Sequence, residues 1–192
     1  MRLFSKLFDR VMTWSNHPKA PWFLAALSFS ESSFFPIPPD VMLAPMVLAK
    51  PGHAWRFAGL TTVASVIGGA AGYLIGALAF EAIEPLLHRL EYWDAYLTAR
   101  LWFQTWGFWA VLAAGFSPIP YKIFTIAAGA MSMLLAPFML ASLAGRGARF
   151  FLVAGLIAWG GPRFESGLKR HIDVIGWALV GMGLLAYIAL RN

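Results

Sequence analysis

A chain of 192 residues with 59% hydrophobic and 12% charged residues and a mean hydropathy of +0.66 falls far below the quarter or so of charged residues in soluble domains. It reads as an integral membrane protein. Having no cysteine, it is excluded from disulfides, thiolate metal sites and cysteine nucleophiles, and its net charge of +6 lies beside apolar segments rather than in one stripe, which favours anionic lipid headgroups over nucleic acid as counterparts.

In residues 1–19, Leu3, Phe4, Leu7, Phe8, Val11 and Met12 recur at helical spacing opposite Arg2, Lys6 and Arg10. Apolar and basic positions interleave, unlike the unbroken apolar run of a cleaved signal peptide. The pattern predicts an amphipathic helix retained in the membrane interface. Residues 20–49 are apolar but broken by Pro36-Ile37-Pro38-Pro39. Either arm is shorter than the ~20 residues needed to span, so a re-entrant hairpin is expected, with a kinked spanning helix as the alternative. Residues 52–80 predict a spanning helix, in which Gly68, Gly72 and Gly76 offer a smooth face for close packing within one chain or between two.

Residues 81–105 mix charge with Trp and Leu and predict an interfacial helix. The broken pattern then returns at 107–131, around Pro118-Ile119-Pro120, and a second spanning helix is expected over 135–161. Residues 163–192 contain a polar loop and a last apolar helix at 174–190.

The two Pro-Ile-Pro tripeptides lie 82 positions apart, and the same shift places Asp40 on Lys122 and the first spanning run on the second. The chain thus divides into repeat 1 (20–80), a linker (81–105) and repeat 2 (106–162). One crossing between two hairpins makes them enter from opposite faces. The expected fold is all-α, an inverted repeat whose breaks at Pro36, Pro38, Pro39, Pro118 and Pro120 mark a substrate site near the midplane. Arg2, Lys6, Arg10, Lys19, Lys50, Arg56, Arg163, Lys169 and Arg170 fall on one side, against Arg89, Arg100 and Arg191 on the other. The positive-inside rule makes the first side, with the N-terminus, cytoplasmic.

Charges inside the apolar stretches are the candidate functional groups, because each is costly there. Glu31 and Asp40 are too short to snorkel and suit proton exchange or counter-charge. Arg146 and Arg149, three apart on one helical face, can fork onto a phosphate, with Lys122 as a third cation at the broken loop. The competing reading is an Arg–acid network that only joins the two halves. Ser117 follows Gly115-Phe116, but His17, His53, His88 and His171 all lie outside the apolar runs. Neither a Ser/His protease nor a histidine metal site is therefore expected.

The segments ESSFFPIPPDVMLAPM, FSPIPYKIFTIAAGAMSM and LAGRGARFFLVAGLIAWGG together resemble the DedA family, most closely its YqaA-like branch, whose domain is also called SNARE-associated or VTT. The resemblance covers roughly residues 20–162. It implies two opposed re-entrant hairpins in a bacterial inner membrane and lipid movement between leaflets, including recycling of undecaprenyl phosphate, linked to the proton gradient. It also implies that Glu31 and Asp40 match the family's acid pair and that Arg146 and Arg149 match its arginines. Where many members carry Arg after the second proline, this chain has Lys122, which keeps the charge and loses the fork. The expected protein is a non-enzymatic transporter of an anionic lipid, without cofactor. Its rivals are a scaffold without transport and a proton-coupled exporter of small cations.

Overall fold

The computed structural model describes Ser15 and residues 17–35, 37–90, 93–117 and 120–160, which form helices and connecting turns with no strand among them. Pro36, Pro118, residues 1–14 of the helix expected at 1–19, the helix expected at 174–190 and the basic loop after residue 162 lie outside the described residues.

Proline decides where the short helices begin. Helix α1 (Ala20–Ser33) has Pro21 in its first turn and ends where the amides of Phe34 and Phe35 both donate to the Ser30 carbonyl, at 2.9 and 2.7 Å. Helix α2 (Asp40–Ala49) starts from Pro39, with Asp40 in the first turn, where a carboxylate favours the unpaired amides. A single 3-10 turn, Pro51–His53, leads into α3 (Ala54–Arg89). Helix α4 (Trp93–Phe116) is followed by α5 (Tyr121–Ala130), which starts from Pro120. The last described helix is α6 (Leu135–Gly160).

Two of these helices, α3 (with the turn before it) and α6, are long and apolar enough to cross a membrane. Helix α1 has 14 residues and α2 and α5 have 10 each. At 1.5 Å per residue these are about 15–21 Å long, short of a hydrocarbon core of ~30 Å.

The interval 81–105, expected as a separate interfacial helix, is shared between two elements. Helix α3 continues through residue 80 and past Pro85 to Arg89, and α4 resumes at Trp93. Charged side chains such as Glu81 and Glu84 change where a helix is solvated, not whether it forms, and Glu, Leu and Arg are good helix formers.

Packing separates into two apolar clusters with a polar layer between them. The first joins Ala20 and Leu24 of α1, Leu43, Met46 and Val47 of α2, Phe57 and Ala58 of α3, and Phe150 and Ala154 of α6. The second joins Val111 and Ala114 of α4, Ala128 of α5, and Phe138 and Ala141 of α6, with Tyr73 of α3 against it. Between them are buried Ser28, Ser32, Ser33, Thr61, Thr62, Ser65, Thr125, Ser142 and Arg146. Both α1 and α2 therefore leave the first cluster and meet the polar layer at their joined ends. Helices α4 and α5 do the same from the second cluster. Among the described helices, α3 and α6 alone carry residues of both clusters and of the polar layer.

Small residues set the spacing. A Cβ on Gly68 would strike the backbone of Phe29 in α1, and one on Gly76 the backbone of Ile126 in α5. The expected glycine face thus packs within the chain, against both helix pairs. In the second half, Gly145 of α6 lies against the Leu112 carbonyl and Gly115 of α4. Hydroxyls fix the register of α1 on α3: Ser28 Oγ donates to the Thr61 carbonyl at 2.8 Å, and Ser32 and Ser65 share a hydrogen bond of 2.7 Å.

After α5 the chain reverses through Ser132, which has φ +54°. The Met133 amide donates to the Ala128 carbonyl at 3.0 Å across this turn. A side chain in the left-handed region is strained where glycine is not. Ser132→Gly should therefore raise stability by about 1 kcal/mol, the order of the left-handed penalty, read as a higher midpoint in an SDS-unfolding titration of the detergent-purified protein.

Candidate functional site

Glu31 sits in the last turn of α1, where Ser32 and Ser33 are also buried. Helix α6 brings Arg146 to it across the polar layer. Arg146 Nη2 donates to Glu31 Oε2 and, at 3.3 Å, to Ser32 Oγ. Its Nε donates to Ser65 Oγ of α3 at 2.6 Å. The guanidinium carbon stands 4.9 Å from the centre of the Tyr121 ring and 4.7 Å from that of Phe150, within cation–π range. Its side chain is 3% exposed and that of Glu31 12% exposed, so the pair is largely shielded within the described helices. Arg146 thus ties α1, α3 and α5 to α6.

The second pair lies between the start of α2 and the end of α4. Arg149 Nη2 donates to Asp40 Oδ2 at 2.7 Å, and Nη1 donates to the Ser117 carbonyl at 2.6 Å. One guanidinium therefore holds the first residue of α2 and the residue after α4. This pair is more open, at 19% and 25% side-chain exposure. Asp40 Oδ1 is buried and has no hydrogen-bond partner among the described residues.

A hydroxyl joins the two helix pairs directly: Thr125 Oγ1 of α5 lies 3.2 Å from the Ser32 carbonyl of α1 and 2.9 Å from that of Lys122. Tyr121 Oη donates to Ser142 Oγ, fixing the ring that lies on Arg146. Lys122 is half-buried on the first turn of α5, and no salt bridge to it occurs among the described residues.

Comparison with known families is decisive at this point. The family model for the VTT domain matches residues 37–158, which takes in α2 to α6 and both arginines. The chain belongs to the DedA (VTT-domain) family. Two relatives match over their whole length and that of this chain. One is an uncharacterized protein of Haemophilus influenzae, 46% identical over 192 residues. The other is an uncharacterized protein of Histophilus somni, 47% identical over 191 residues. No solved structure matches the chain. As a DedA protein with two long apolar helices, it is a membrane protein.

Of the expected site residues in this DedA chain, Glu31 and Arg146 form one pair and Asp40 and Arg149 the other. Lys122 follows Tyr121, whose ring covers Arg146. Pro38, Pro39 and Pro120 border the layer. Sequence reasoning missed the hydroxyl frame of Ser32, Ser65, Thr125, Tyr121 and Ser142. A signal for part of it exists: Ser28 and Ser32, like Thr61 and Ser65, are four apart and so share one helical face.

Proposed function

We propose that this protein moves an anionic lipid, a polyprenyl phosphate such as undecaprenyl phosphate, between the leaflets of a bacterial inner membrane. In this reading α1–α2 and α4–α5 are re-entrant hairpins of an inverted repeat, inserted from opposite faces, with the N-terminus cytoplasmic. The observation that carries it is the meeting of both helix pairs at Arg146 and Arg149, between two apolar clusters, with each arginine held by an acid. Opposite charges in a layer that hydrocarbon penalises suit groups that exchange partners.

In this reading, exchange of a proton at Asp40 breaks its ion pair and releases Arg149. A lipid phosphate then replaces the carboxylate on the guanidinium, which matches two phosphate oxygens with two parallel donors. Lys122 adds a second cation, and its point charge positions the phosphate without a fork. Arg146 and Glu31, more deeply buried, form the inner step of the same exchange. The polyprenyl tail stays in the bilayer while the head passes between the hairpins, so no wide aqueous cavity is required.

Reconstitution into liposomes with labelled undecaprenyl phosphate and ordinary phospholipids tests this. Wild-type protein should move the polyprenyl phosphate. Arg149→Ala and Lys122→Met should each slow it at least about tenfold, corresponding to ~1.4 kcal/mol, and Arg89→Ala should not. No movement of any lipid by demonstrably folded protein would sink the transport reading and leave the scaffold, in which the charges only join the helix pairs. Equal loss from Arg149→Ala and Arg89→Ala would sink the site.

A further inference from the structure

A cavity of about 830 Å³ opens at the other end of the first apolar cluster, between the start of α1 and the connection from α2 into α3. None of Glu31, Asp40, Lys122, Arg146 or Arg149 lines it. Its polar side is supplied by Lys50 at the end of α2, His53 in the 3-10 turn and Arg56 in the first turn of α3. Among the described residues no acid lines it. No salt bridge to Lys50 or Arg56 occurs among the described residues.

The apolar side has a direction. Leu60 and Val63 also line the cavity. They stand four and seven residues after Arg56, so the three share one face of α3, with Val63 about 10 Å further along the axis. Cations at the helix end and an aliphatic track leading inward are the order of groups in a lipid, headgroup first and chain second. Trp22 and Trp55 complete the wall, 77% and 61% exposed, as interfacial indoles are at headgroup depth. Trp55 is already braced, its ring stacked on Phe151 of α6 at 5.8 Å.

We propose that this cavity binds an anionic glycerophospholipid, its phosphate between Lys50 and Arg56 and one acyl chain along Leu60 and Val63. The site is separate from the ion-pair layer and does not depend on transport. A lysine at a helix end can also serve simply to offset the helix dipole, but such a role would change stability without changing which lipid binds.

Equilibrium binding of fluorescent phosphatidylglycerol and phosphatidylcholine to the full-length protein in neutral detergent decides the matter. Phosphatidylglycerol should bind roughly tenfold to thirtyfold more tightly, as expected for two cations near a headgroup. Lys50→Gln with Arg56→Gln should bring that ratio close to one, in protein that still elutes as wild type on gel filtration. Trp22→Ala should weaken both lipids alike. Millimolar inorganic phosphate should not displace the lipid, because it cannot use the aliphatic track. Equal wild-type affinities, an unchanged ratio in the double variant or displacement by phosphate would each overturn the assignment. So would a ratio lost in Arg149→Gln but kept in the double variant, since selectivity would then belong to the ion-pair layer.

Discussion

Arg146→Ala should lower folded-state stability by about 3–5 kcal/mol, the usual result of removing one partner from a buried pair. The loss exceeds that of a surface arginine for a specific reason. Glu31, 12% exposed, would be left without its partner, Ser65 and Ser32 would lose a donor, and Tyr121 and Phe150 would face a void. Arg146→Lys should recover only part of it, because one ammonium cannot reach Glu31 and Ser65 with a planar fork. Glu31→Gln in the Arg146→Ala background should restore some stability by replacing the unpartnered carboxyl group. SDS-unfolding midpoints with gel-filtration profiles in detergent provide the measurement. Arg149→Ala should cost clearly less, since its pair is more exposed and water can reach the freed carboxylate. Equal losses for the two arginines would mean that the inner pair is not the better shielded.

Gly129→Val should be the most damaging substitution that touches no charge. A Cβ there would run into the Tyr73 carbonyl and approach the Ala77 amide within 2.9 Å. Both are backbone atoms of α3, so no side-chain rotation relieves the clash and α5 must move away from α3. Overpacking costs typically 1–3 kcal/mol, and contact with backbone on a rigid helix places this substitution at the upper end, about 3 kcal/mol. Gly76→Val, the reciprocal change on α3, meets Ile126 and should behave alike. Gly147→Ala is the control: its Cβ would meet only a Thr62 methyl, at 3.6 Å, and should be nearly neutral. A Gly129→Val protein as stable as Gly147→Ala would show that α5 does not lie against α3 as described.

What the sequence disclosed followed from residues that have few uses in hydrocarbon. A proline pair in an apolar run has to end a helix, so the positions of α2 and α5 were legible. Glycines four apart have to admit a neighbour, and Gly68, Gly72 and Gly76 do. Acids and arginines in apolar segments were legible as a set, but not as pairs. Glu31 had two equivalent arginines within reach, and only the crossing of α1 with α6 chooses Arg146. The hydroxyl frame was harder still. Ser30 and Ser33 of α1 and Thr61 and Thr62 of α3 donate to a carbonyl four residues back, as such side chains do in any helix, so Ser32 and Ser65 do not stand out. At 81–105 charge suggests an end to the first spanning helix, but α3 runs on to Arg89.

The order in which the chain is made gives the inner pair a further meaning. Glu31 and Arg146 are 115 residues apart, and Asp40 and Arg149 are 109 apart. Both acids leave the ribosome long before the arginines that neutralise them. Until α6 is made, the carboxylates of α1 and α2 lack the arginines that pair with them in the folded protein, and a charge without its partner is disfavoured in hydrocarbon. The two ion pairs that join the halves can therefore close only after the last described helix has been made.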